Sequence, residues 1–189
     1  MMTLRVLAVS TALTLGGGVV PARASGHMDQ AAAHVYVEVI PYVVVSDPVV
    51  VVVNLQDSPA GWPIASRVRF SVRSNAQEVE LYVACTDLYK SGNPASPYRI
   101  PVTDPGAEIM CEESATGDPD RVLAWSPHAS ANALPAGWTG AVSESGVFTA
   151  PANVFSQDVT VDVSWRTTDR HLPMGEYQGI VRLVGMVRP

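Results

Sequence analysis

Side chains alternate between apolar and polar with a period of two through most of this 189-residue chain, and no apolar stripe of helical spacing runs for a useful length. Period two sends successive side chains to opposite faces of an extended backbone. Each such stretch is therefore a strand with one face for a core and one for water. Val159, Val161, Val163 and Trp165 alternate with Thr160, Asp162 and Ser164, which places Trp165 inside. Val68, Phe70 and Val72 alternate with Arg67, Arg69, Ser71 and Arg73; Val79, Leu81 and Val83 alternate with Glu78, Glu80 and Tyr82. Ser74-Asn75-Ala76-Gln77 joins these two runs, and the spacing predicts a hairpin. Arg73 opposite Glu78 would set Val72 against Val79 and Phe70 against Leu81, with opposite charges meeting on the other face.

Further strands are expected at 35–45, 49–55, 99–103, 108–112, 121–125, 146–149 and 177–187. Pro, Gly, Ser and Asn gather between them, notably at 91–97, 116–120 and 126–140. Many short strands with turn signals between them predict an all-β, antiparallel sandwich. The long loops at 116–140 are where a binding surface is expected.

The first residues predict export. Arg5 precedes an apolar stretch from Val6 to Val20; Pro21 breaks it, and Ala22-Arg23-Ala24 fits the small-x-small rule for leader cleavage. The stretch is shorter than the roughly 20 residues of a spanning helix and is diluted by glycines, so no membrane span is expected after cleavage. The expected division is a signal peptide at 1–24, an extension or first strand at 25–46, and the sandwich at 47–189. The formal charge of −6 becomes two units more negative once Arg5 and Arg23 leave with the signal. An acidic chain with one lysine, Lys90, has no footprint for nucleic acid or an anionic membrane. Localisation is expected in the periplasm, at the cell surface or outside the cell.

Two cysteines in an exported chain are expected to pair. Cys85 ends the inward set of Val79, Leu81 and Val83, and Cys111 shares a face with Ile109. A Cys85–Cys111 bridge would contribute about 3 to 4 kcal/mol by the loop-closure estimate.

No catalytic constellation is legible, and neither cofactor nor metal is expected. His27, His34, His128 and His171 are scattered, without metal-ligand spacing. Asp118-Pro119-Asp120 lacks the alternating oxygen ligands and distal glutamate of a calcium loop. Ser143-Glu144-Ser145-Gly146 lacks the upstream glycine of a nucleophile elbow. Glu112-Glu113 reads as a solvated pair at a strand end. Trp62 and Trp138 follow glycines in loops and are the tryptophans that a glycan or surface ligand could stack on.

The run Pro173-Met174-Gly175-Glu176-Tyr177-Gln178-Gly179, followed by β-branched residues, resembles the penultimate strand of bacterial immunoglobulin-like domains, where a tyrosine ties down the corner. Only about one strand's length follows Tyr177, and an alternating segment, Ala33 to Val45, precedes the domain. That order resembles the subunits of chaperone–usher pili, and secreted spore-coat-protein-U-like subunits end in a similar Gly-x-Tyr strand. The resemblance implies an immunoglobulin-like sandwich short of its last strand, in a non-enzymatic subunit of a filament or coat assembled by strand exchange. Its implied partners are other copies or related subunits and a periplasmic chaperone. Val35, Val37 and Val39 would be donor side chains; Tyr177, Val181 and Leu183 would border the acceptor groove. The alternative is a secreted carbohydrate- or surface-binding module using Trp62 and Trp138.

Overall fold

The computed structural model describes residues 39–55, 63–113, 120–127, 133–151, 154–167, 169 and 171–187. They belong to a compact unit beginning at Val39, and within the stretch read above as an extension or first strand, Val43 to Val45 pair as a strand of the sandwich. The chain is an all-β sandwich of two antiparallel sheets.

In the first sheet, strand β1 (Val43–Val45) pairs with β3 (Pro63–Ser74). The sheet continues through β11 (Ser156–Arg166) and β7 (Gly106–Cys111) to β8 (Asp120–Ala124). In the second, β12 (Gly175–Val187) lies in the middle. One edge of β12 is paired by β4 (Glu78–Thr86) and then by β5 (Leu88–Lys90). The other is paired by β2 (Val49–Leu55). Beyond β4 and β5 lie three short strands, β10 (Gly146–Thr149), β9 (Gly140–Val142) and β6 (Arg99–Ile100).

The core is what the alternation dictates. Val68, Phe70 and Val72 meet Val79, Leu81, Val83, Val159, Val161, Val163 and Trp165 in one buried cluster. Trp165 is fully enclosed, and its indole N–H donates to the Thr86 carbonyl at 2.9 Å, a hydrogen bond from one sheet to the other. The outer face of the first sheet is polar. Arg67 pairs with Asp162 at 2.7 Å, and Arg69 with Asp158 at 2.9 Å and with Glu112.

The hairpin expected at 67–83 is not formed. β3 pairs with β1 and β11, and β4 pairs with β10, β9 and β12, so Arg73 lies opposite Val44 and Ser156 while Glu78 lies opposite Thr149. The link at 74–77 is an arch that carries the chain from one sheet to the other. Alternation cannot distinguish the two cases, because it fixes which face is apolar and leaves open whether the faces lie side by side or across a core. Phe155 decides it: its backbone carbonyl accepts the Ser74 amide at 2.7 Å and its amide donates to the Ala76 carbonyl at 2.8 Å. The Ser74 hydroxyl also donates to the Tyr42 carbonyl at 2.8 Å.

Candidate functional site

The Pro-x-Gly-x-Tyr-x-Gly run performs three local tasks at the start of β12. Tyr177 points into the core, and its hydroxyl donates to the Pro173 carbonyl at 2.9 Å, which ties the strand to the loop before it. Burial, with smaller contributions from Tyr98 and Asp169, raises the Tyr177 pKa. The Lys90 ammonium lies 5.3 Å above the same ring.

The third task belongs to Gly179. Cys85 faces Val181 and Tyr89 faces Gln178, so the β4–β5 side of this stretch holds one residue more than β12. That is a bulge at Thr86-Asp87. The Thr86 hydroxyl accepts the Ile180 amide at 2.8 Å, replacing the backbone acceptor that the bulge removes. A methyl group on Gly179 would stand 2.8 Å from a Leu88 methyl and 3.1 Å from the Asp87 carbonyl, so the bulge needs a glycine opposite it.

The bulge also aims the buried Asp87 carboxylate at a polar cluster. Asp87 accepts from Arg99 at 3.2 Å, from the Thr139 hydroxyl at 2.7 Å and from the Val102 amide at 3.1 Å. The Tyr89 hydroxyl lies 2.6 Å from that of Thr139. Trp138 packs edge-on against Tyr89, with ring centroids 5.2 Å apart. The loop tryptophan singled out above is thus a half-buried cover over β5, held through its neighbour Thr139. Trp62 lies outside the described residues.

The strand edges are set by which backbone groups face which way. The Ile180 amide points to the β4–β5 side, as does the Glu176 carbonyl that accepts from Ser91. Alternate residues turn their groups to opposite edges, so Gly179 and Val181 address β2. Opposite them, Val49, Val51 and Val53 face β12, and the amides and carbonyls of Val50 and Val52 point away from it. No described strand pairs that outer edge of β2. Beyond Val181 the pairing with β2 stops, and Leu183, Gly185 and Val187 turn their backbone groups to an edge that no described strand occupies.

These edges locate the expected acceptor groove differently from the sequence reading. Tyr177 and Val181 do not border a groove: both are fully buried, and β12 has a strand on each side there. The reason is β2, which takes the position beside β12 that a missing strand would have left open. Leu183 alone of the three lies on the stretch with an open edge. The core beneath that stretch is closed from the other sheet, since a methyl on Gly185 would stand 3.0 Å from Val43 and 3.1 Å from Val45. An open groove of about 360 Å³ lies instead between the edges of β2 and β3, lined by Val49 to Val52 on one side and Ser66 to Arg69 on the other.

Of the expected donor residues, Val35 and Val37 lie outside the described residues. Val39 is 68 % exposed and Ile40 75 % exposed. The chain is anchored just after them: Asn75 accepts the Tyr42 amide at 2.8 Å and donates to the Ile40 carbonyl at 3.0 Å.

The expected Cys85–Cys111 bridge is not formed in the structure. Both are free, buried thiols, Cys85 on β4 and Cys111 on β7 in the opposite sheet. Their inward parity is as read from the alternation. The Cys85 thiol faces the Thr86 carbonyl at 3.6 Å. Burial, and secondarily Asp87, pushes the Cys85 pKa far up; burial pushes that of Cys111 up to about 12.

Among the described residues no group of three or more His, Cys, Asp or Glu side chains could hold a metal ion. No helix there is long and apolar enough to cross a membrane. Ser143, in the serine-rich run, accepts the Val83 amide at 2.9 Å and donates to the Glu144 carbonyl at 2.8 Å. No family model matches the chain, and comparison with the curated proteins and with the solved structures finds no match either.

Proposed function

We propose that this protein is an exported, non-enzymatic structural subunit of a surface filament or coat, assembled by addition of an extended strand from one copy to the sheet of another. The observation that carries this reading is the edge of β12 from Leu183 to Val187. It sits in the row of β2, begins where the pairing with β2 stops, and presents backbone groups of three residues that no described strand pairs. A strand laid there would complete the row, because buried edges demand partners and exposed ones invite them. The donor is the alternating segment ending at Val39, with Val35, Val37 and Val39 on one face. Val39 and Ile40 are exposed, and Tyr42 is pinned to the arch. Partners are therefore other copies or related subunits, with a periplasmic chaperone covering the edge before assembly.

The test is addition of a peptide spanning Ala33 to Val45 to the full chain. Binding to the folded form alone should raise the melting temperature in proportion to the logarithm of peptide concentration. The same peptide carrying V37D should have no effect, since a carboxylate would enter an apolar contact. Equal effects of both peptides, or none from either, would overturn the reading.

A further inference from the structure

We propose that the outer edge of β2 is a second, separate contact surface, and that its partner is β2 of another copy, paired antiparallel about a twofold axis at Val51. The run Val49 to Val53 is five consecutive valines with no charge. Val50 is 56 % and Val52 51 % exposed, and their amides and carbonyls point away from β12 to an edge that no described strand pairs.

Natural sheets protect such edges with charges, proline, bulges or short strands. Apart from the Leu183–Val187 stretch of β12 discussed above, the other edges of the described residues carry those devices. β3 begins with Pro63 and presents Arg67 and Arg69. The far edge of the second sheet is broken into β10, β9 and β6, none longer than four residues. The edge strand β8 carries an exposed Arg121. β2 has only Pro48 before it, which ends the ladder without interrupting it.

A second copy fits this edge because the run is its own complement. Centring the axis on Val51 sets Val50 opposite Val52 of the other copy, and Val49 opposite Val53. Val50 and Val52 are the residues whose amides and carbonyls point outward, so the two pairs exchange four hydrogen bonds. Their side chains meet on the outer face beside Ile180, which lies across from Val50 within one copy. No like charges are brought together, as they would be if two β3 edges met.

The test is sedimentation of the full chain over a range of concentrations. Wild type should show a dimer that dissociates on dilution. V52P deletes the outward amide without touching a hydrogen bond to β12, and it removes two of the four intermolecular bonds. It should weaken the dimer about 30-fold while V52T does not. If V52P lowers the melting temperature, V50K serves instead, since it keeps every backbone group and places a lysine on the edge. V37D, which disarms the donor segment, should leave this dimer intact. Association lost in V37D would mean that the donor segment fills the β2 edge, and the proposal would fall. It would fall equally if V52P and V50K associated like wild type, or if wild type stayed monomeric at every concentration. The strand-exchange reading stands or falls separately, on the peptide.

Discussion

The Thr86 hydroxyl accepts the Ile180 amide at 2.8 Å, at the one place where the ladder of β12 changes partner from β4 to β5. Thr86 is completely buried, so the bond cannot be replaced by water. T86V should therefore cost about 1 to 3 kcal/mol, the price of a buried amide left without an acceptor. T86S should recover most of it. Urea unfolding of the three proteins distinguishes them; equal midpoints for wild type and T86V would show that the bulge rearranges freely.

Removing the Tyr177 hydroxyl isolates the corner. Y177F keeps the ring in the core and deletes the 2.9 Å bond to the Pro173 carbonyl. A loss of about 0.5 to 1.5 kcal/mol is expected. Hydrogen exchange should also speed up at Gly175 to Tyr177 more than at Leu183.

The Asp87 cluster predicts an effect at a distance. Asp87 is buried and accepts from Arg99, Thr139 and Val102, so D87A takes the acceptor from the Val102 amide and leaves Arg99 and Thr139 to each other and to Tyr89, at a cost of about 1 to 3 kcal/mol. Because Thr139 holds the segment that places Trp138 on Tyr89, the tryptophan fluorescence of the folded variant should shift to the red. An unchanged spectrum would mean that Trp138 is held by its own packing.

Held reduced, the protein should lose stability as pH rises above about 8.5, the ordinary thiol range. The sign follows from burial. Both folded thiols have raised pKa values, Cys111 to about 12, so above the ordinary value the unfolded chain releases protons that the folded chain retains. This stabilisation is complete below that value and is lost as pH climbs towards the folded pKa values. Chemical unfolding at pH 8 and pH 10, compared between wild type and C111A, measures it; the variant should show the weaker slope. Oxidation that joined Cys85 to Cys111 would remove the effect in wild type.

The alternation around Trp165 and Phe70 gave the inward faces of β3, β4, β7 and β11, because burial on one side is a property of the strand alone. What it could not give was partnership. β3 and β4 face each other across the core, yet their sequences satisfy a hairpin equally well. The residues that separate the cases, Phe155 and Ser74, act through backbone groups 81 positions apart. β5 and β9 were missed because three-residue strands leave no period to read. The tyrosine of the Gly-x-Tyr-x-Gly run was legible as a corner, but the second glycine was not legible as the partner of a bulge, since the bulge lies on another strand. The position of β2 beside β12, which moves the open edge to Leu183, depends on a crossing at Ser46 to Pro48 that pattern alone does not specify.

The place of β12 has a consequence for how the molecule is made. The residues of β2, β4 and β5 that pair with β12 precede their partners by 87 to 132 positions, and these strands meet in the second sheet only through β12 or by way of short edge strands. A growing chain therefore holds the pieces of that sheet without the strand that joins them, and closing such distant pairs is slow. Synthesis leaves the second sheet incomplete until β12 is available. That sheet closes only once the segment around Tyr177 has been made.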